Sequence, residues 1–329
     1  MANITVYTFD NYKDEYNKVF AGVYNDFKSK AVSEYNFELE PLEYNDFVKS
    51  VEAELIKCII LFEQDVPTGF LTYTTVISES LELNMIHVIG DENSLQKRCL
   101  LLQKFLEENQ KAISEKVVTF TVLGKQTEII PELPTFGFYP IKQSVMKINF
   151  QDEEDTKIIR EMPLQRLKNG FEIVSWNNKY YKPVCELLLE SFKNQSDAKF
   201  DPRFTSMKGI RDITDKITAG VYGEFLPQET KILLYKSKVS GVCFANLTNS
   251  QIANIPLVAV KQKFQGKSFG NLLLKSVVKD VYLSVASGKR QLGEINACCD
   301  SNFEPAFKMY LSSGFKESYS YTQAYRPIN

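Results

Sequence analysis

Residues 264–278, FQGKSFGNLLLKSVV, join small, polar and basic side chains to a run with helical apolar spacing. An apolar β-prone run, IPLVAV at 255–260, stands just before them. A strand that hands over to a helix leaves the first amides of the helix without intrahelical partners. With the helix dipole, those amides form an anion site. Two nucleotide motifs have similar letters, and neither is present. The phosphate loop needs a glycine five residues before its Gly-Lys pair, where this chain has Lys261. Gly266 and Gly270 alone do not make the dinucleotide pattern G-x-G-x-x-G.

Other reactive residue types narrow the chemistry further. The single histidine, His87 in LNMIHVIG, argues against a His-rich metal site and against a Ser-His-Asp triad. It reads as a satisfied, partly buried ring, and no metal is expected. The six cysteines show no C-x-x-C spacing, and most sit in apolar segments as small hydrophobes. The adjacent pair Cys298–Cys299 falls on an expected strand, where neighbouring side chains point to opposite faces, so buried thiols are expected rather than a redox device.

The elements that must position these residues belong to a globular chain. At 329 residues, 44% hydrophobic and 24% charged, it has the length for two domains and the composition of a soluble protein. A net charge of −2 argues against a nucleic-acid partner, whose phosphates require a basic surplus. No apolar run approaches the ~20 residues of a membrane span. The first residues, MANITVYTFDNYKDEYNKVF, lack the basic-then-apolar order of a signal peptide. A cytoplasmic protein without nucleic-acid or membrane partners is therefore expected; its oligomeric state is not legible.

The chain contains the same order of elements twice. The segment 4–30 resembles 171–195 as strand, polar break and helix, and 58–76 resembles 231–248 as two apolar runs hinged at a polar turn with glycine. Segments 133–150 and 310–326 each place Gly-Phe before alternating strand-like residues. A repeat of this length means duplicated domains. The expected boundaries are a first domain at 1–150, an acidic polar linker at 151–170 and a second domain at 171–329. The alternation of strands and helices in each half gives the fold class as α/β.

In the second half, Val260 is followed by Gln265-Gly266-Lys267-Ser268-Phe269-Gly270, and NFEPAFKMYLSSGF supplies Asn302, Ala306, Tyr310, Gly314 and Phe315. These two blocks, in this order, resemble the signatures of the GNAT (GCN5-related N-acetyltransferase) superfamily. There, (Q/R)-x-x-G-x-(G/A) opens the helix after the fourth strand, and N-x-x-A-x-x-x-Y-x-x-x-G-F follows the fifth. Ser268 replaces the usual central glycine, and one extra residue separates Asn302 from Ala306. The resemblance covers about 171–329, with a degenerate copy in the first 150 residues, and implies two tandem GNAT-like domains with twisted mixed sheets.

The resemblance implies an acetyl-CoA-dependent N-acetyltransferase acting on a primary amine of a small molecule or peptide. Coenzyme A diphosphate would lie on the amides of Gln265, Gly266, Lys267, Ser268, Phe269 and Gly270. The pantetheine arm would pair with Val258 and Val260, Asn302 would contact the cofactor or cap the helix after it, and Tyr310 would protonate the departing thiolate. A phenol remains protonated at neutral pH and can do so. Glu294 on the fifth strand is the expected general base, with Asn254 and Glu224 as further candidates. Asp197, Phe200, Asp201 and Phe204 would suit a cationic, partly apolar acceptor. In the first half, Asn93, Ser94 and Arg98 fall opposite Gln265, Gly266 and Gly270, and no tyrosine falls opposite Tyr310, so that copy is expected to be non-catalytic. The layout is similar to that of mycothiol synthases. Two other readings are an acyl-CoA-binding sensor or scaffold, and a Fem-type aminoacyl transferase.

Overall fold

The computed structural model describes the chain except for residues 1–3, 10–13, 38–39, 76–77, 164–166, 168–169 and 329. It divides into two compact units, one of residues 1–141 with 321–329 and one of residues 142–320. In chain order the elements begin with β1 (Ile4–Thr8), α1 (Asp14–Lys30), α2 (Tyr44–Glu52), β2 (Lys57–Glu63), β3 (Val66–Thr74) and β4 (Ser80–Val88). Next come α3 (Ser94–Glu108), α4 (Gln110–Ile113), β5 (Val117–Val122), β6 (Tyr139–Asn149) and α5 (Glu153–Glu161). The order is then β7 (Phe171–Ser175), α6 (Tyr181–Phe192), α7 (Asp197–Phe200), α8 (Met207–Thr218), β8 (Glu224–Phe225), β9 (Lys231–Tyr235) and β10 (Lys238–Cys243). It closes with β11 (Asn246–Leu247), β12 (Ile252–Asn254), β13 (Val258–Val260), α9 (Phe269–Ala286), β14 (Glu294–Asp300), α10 (Glu304–Ser312) and β15 (Lys316–Arg326).

The first unit's sheet runs β1-β2-β3-β4-β5-β15, antiparallel except for the parallel pair β4–β5. Helices cover both faces, so its central strands are apolar on both sides. Ile60 and Phe62 pack with α1 and α2 residues such as Phe20, Tyr24 and Phe47. Their neighbours Ile59 and Leu61 pack on the other face with Leu101, Leu102 and Phe105 of α3.

In the second unit, β7, β9, β10 and β13 form one antiparallel sheet, and β6, β14, β12, β11 and β8 form a mixed one. Ile232 and Leu234 of β9 face α6 and α8 through Val184, Leu188, Ile210 and Ile213. Leu233 faces the opposite way, toward Leu273, Leu274 and Val277 of α9. The alternation of β-strand side chains thus builds two cores in each unit. Among the described residues, no helix is long and apolar enough to cross a membrane.

The strand pairings divide the chain differently from the boundaries at 150 and 170. β14 pairs with β6 from Glu294↔Asn149 to Asp300↔Gln143, which ties residues 142–149 to the second unit. β15 pairs with β5 from Thr322↔Val122 to Arg326↔Val118, which ties residues 321–326 to the first. The expected linker contains α5, which starts where the Asp152 carboxylate accepts the Asp155 amide and buries Ile159 in the second unit's core.

The repeated hairpins are present, but their glycines are not in the turns. The turns are Gln64-Asp65 and Lys236-Ser237, with φ of 51° and 63° and of 48° and 60°. Paired positive φ values match the right-handed twist of the flanking strands. Gly69 and Gly241 lie inside β3 and β10, where a Cβ would approach His87 O to 2.8 Å and Leu273 Cδ1 to 2.8 Å.

Candidate active site

β12 and β14 run parallel as far as Asn254↔Asn296, and the Ile255 amide makes the next bond, to Asn296 O at 2.9 Å. Past Pro256 the chain turns away: β13 pairs with β10 alone, while β14 continues to Asp300 against β6. The divergence opens a cleft of about 390 Å³, walled by β13, the end of β14, the loop before α9, the segment after α6, and α10.

The register decides which backbone groups face this cleft. The Phe244 amide donates to Leu257 O (3.0 Å) and the Lys261 amide to Ser240 O (2.9 Å). Bonded and unbonded pairs alternate in an antiparallel ladder. Val258 and Val260 therefore turn their N–H and C=O groups away from β10, at the cleft edge. The Val260 carbonyl accepts the Gln265 side-chain amide at 2.9 Å. The Val258 groups have no partner among the described residues.

The loop entering α9 carries two left-handed residues, Gly266 (φ 69°) and Ser268 (φ 63°). Glycine takes this conformation freely, whereas Ser268 holds it at a cost of about 1 kcal/mol. The amides from Gly266 to Asn271 have no backbone acceptor among the described residues, and residues 265–268 are exposed. A Cβ on Gly266 would meet nothing within 4 Å, whereas one on Gly270 would meet Met309 Sδ at 2.9 Å. Gly270 thus permits the close approach of α9 and α10. Asn271 fixes that approach, its Nδ2 donating to Ser312 Oγ at 2.6 Å and Ser313 Oγ at 3.0 Å.

Tyr310 on α10 is 5% exposed, lines the cleft and packs edge-on against Phe315. Its hydroxyl has no hydrogen-bond partner among the described residues. Burial raises its pKa well above the ordinary value, and nearby cysteine thiols and Asp197 push the same way. Asp197 and Asp300 are the only charged residues among those lining the cleft. Asp197 is exposed at the rim but hemmed in by protein. That loss of surrounding water raises its carboxyl, and Asp300 and Asp201 add repulsion. Among the described residues, no cluster of His, Cys, Asp and Glu could hold a metal.

Val258, Val260, Gln265, Gly266, Ser268, Phe269, Gly270 and Tyr310 meet at this one cleft. Lys267, Asn302 and Glu294 are not part of its lining. Lys267 turns back, its Nζ donating to Lys263 O at 3.0 Å. Asn302 is exposed and offers no side-chain cap to α10; its amide donates to Asp300 Oδ1 at 2.8 Å. The Glu294 carboxylate is paired with Lys147 of β6. Asn254 and Glu224 are also engaged, with Asn296 Oδ1 at 2.7 Å and with Arg290 at 3.2 Å.

Of the expected acceptor wall, Asp197 reaches the cleft, while Asp201 binds Arg203 (2.7 Å) and Phe204 is buried in the core between β9 and α6. The expectation of two buried thiols fails at one position: Cys299 is buried, but Cys298 is exposed, and both line the cleft. Sequence reading missed Asp300 and Phe303, which line the mouth. The end of the β14 alternation was the available signal.

No protein-family profile and no curated protein sequence matches the chain. Solved structures do. A GCN5-related N-acetyltransferase from Sphaerobacter thermophilus aligns over 99% of this chain and 96% of its own, at TM-score 0.60 and 12% identity. A tandem GNAT protein from the clavulanic acid biosynthesis pathway aligns over 99% of both chains, at TM-score 0.55 and 12% identity. The glucosamine N-acetyltransferase region of a fungal multi-domain β-N-acetylglucosaminidase aligns over 99% of this chain and 38% of its own, at TM-score 0.58 and 10% identity. Likeness at such identity is likeness of fold, and with two copies of the sheet-and-helix plan in one chain, the fold is that of the tandem GCN5-related N-acetyltransferases.

Proposed function

We propose that the chain is an acetyl-CoA-dependent N-acetyltransferase whose second unit holds the thioester between β13 and β14 and transfers the acetyl group to a primary amine. The supporting observation is an internal comparison. Ile86 of β4 corresponds to Val258, and Arg98 of α3 to Gly270, when CLLLQKFLEE is laid on NLLLKSVVKD. In the first unit the Ile86 amide donates to Gln126 Oε1 at 2.8 Å, and the Ile86 carbonyl accepts from Arg98 Nη1. Arg98 is wholly buried and also bonded to Glu128. One copy therefore satisfies its strand edge with its own side chains, while the other leaves the same groups bare beside a cleft.

The open groups have the chemistry of the proposed donor. A diphosphate suits the free amides of 266–271 at the start of α9. The amide groups of a pantetheine arm suit the N–H and C=O of Val258. Bound acetyl-CoA would supply a thioester whose C–S bond breaks as a C–N bond forms. Tyr310 Oη, kept protonated by burial, holds a proton within the cleft for the departing sulfur. In this reading Glu294 has no part, because Lys147 occupies it.

The test is calorimetric titration of acetyl-CoA into the wild type and into Gly270→Arg, which copies the filled half. One site per chain, abolished in the variant, is expected. Absence of binding to the wild type, or a site that survives the substitution, would refute the reading. Release of free thiol on adding amines then separates an enzyme from a sensor.

A further inference from the structure

We infer that the amine acceptor carries a second, non-reacting cationic group, held at the mouth of the cleft by Asp197 and Asp300. The inference rests on the acetyltransferase reading and adds the acceptor's chemical class. Its basis is the distribution of charge along the cleft. The end at Gly266–Asn271 presents bare amides and suits an anion. At the other end Asp197, on α7, and Asp300, where β14 stops, are the only charged side chains of the lining, and both are acidic. Asp300 is partly occupied by the Asn302 amide on one oxygen. No cation among the lining residues neutralises either carboxylate.

A second observation points to a ligand at this end. Tyr310 is 5% exposed, and its hydroxyl lacks a partner among the described residues. Its electrostatic neighbours include Asp197, Cys298 and Cys299, all of the cleft wall. The side chain is otherwise packed in the core, so the hydroxyl is the one polar atom it presents to a molecule in the cleft.

The charges also bear on which nitrogen they hold. An adjacent carboxylate favours the protonated form of an amine. A carboxylate pair at the attacking nitrogen would keep it as ammonium and suppress attack. The pair is therefore productive when it holds a different cation, leaving the reacting nitrogen free to lose its proton. Phe192 and Phe303 add apolar wall to the cleft and suit a short alkyl spacer.

The probes are 1,5-diaminopentane and pentylamine, matched in length and differing in one charge. Their binding to the coenzyme A-loaded full chain is measured by calorimetry, and kcat/KM with acetyl-CoA alongside. About tenfold tighter binding of the diamine is expected, the scale of a partly exposed charge pair. Asp197→Asn and Asp300→Asn should each reduce that preference at least threefold, through KM rather than kcat, with acetyl-CoA affinity unchanged. Equal binding of the two amines, or an undiminished preference in both variants, overturns the inference while leaving the acetyltransferase reading intact. Failure of acetyl-CoA to bind overturns the acetyltransferase reading, and this inference with it.

Discussion

Tyr310 illustrates how one side chain serves both fold and site. Its ring closes the core beside Phe315, and its hydroxyl stays at the cleft without a partner. Replacing it with phenylalanine keeps the packing and removes the proton. On the acetyltransferase proposal, Tyr310→Phe should lower kcat about 100-fold, the low end for loss of a positioned acid, with acetyl-CoA affinity within twofold of wild type. Because burial raises the phenol above its ordinary value of 10.0, the wild-type rate should show no decline from tyrosine ionisation up to pH 9. A basic limb near pH 8 that vanishes in the variant would contradict this. Tyr310 was readable because the Ala306-Tyr310-Gly314-Phe315 spacing is local to one helix and its turn. Asp300 was not, since only the divergence of β14 from β13, forty residues apart in sequence, gives it a cleft to face.

The strand-to-helix element shows its logic best in the copy that is filled. Arg98 Nε bonds Glu128 and its Nη1 the Ile86 carbonyl, while Nη2 reaches Tyr35 Oη at 3.3 Å. Tyr35 Oη in turn contacts His87 Nδ1 at 2.7 Å, and His87 Nε2 lies 3.1 Å from Asp26. Arg98→Ala would strand several of these groups and should destabilise the protein by about 3 kcal/mol, read from the denaturant midpoint. Burial, reinforced by Arg98 and Lys30 against the pull of Asp26, lowers His87 to about 3 from 6.5. The unfolded chain therefore takes up this proton first as pH falls. Stability from the neutral ring is whole above pH 6.5 and drains away toward pH 3. Between pH 7 and pH 5 the loss should be about 2 kcal/mol, and His87→Gln should flatten that slope. An unchanged slope would assign the acid sensitivity elsewhere. The sequence predicted a satisfied histidine from its apolar run. Its partners come from α1, the turn after it and α3, separations no local pattern encodes.

At the scale of the molecule, the repeat was legible and the division was not. Apolar alternation and helix spacing announce elements, but strand order depends on which edges remain unpaired. β6 satisfies β14 over seven residue pairs, and β15 satisfies β5 over five. A chain cut where composition suggests, at 150 and 170, leaves each of these partners on the wrong fragment. The fragment 171–329 would expose the full edge of β14, and 1–150 the edge of β5, each an apolar template for pairing between chains. Expressed separately, both fragments should aggregate or lack the cooperative thermal transition of the whole protein, by circular dichroism and light scattering. Folding of 171–329 alone, with acetyl-CoA binding retained, would show that β6 is dispensable and that the duplicated halves are autonomous. The strand arrangement predicts instead that cutting the chain at the sequence boundary abolishes the binding cleft, because β14 can diverge from β13 only while β6 holds its other edge.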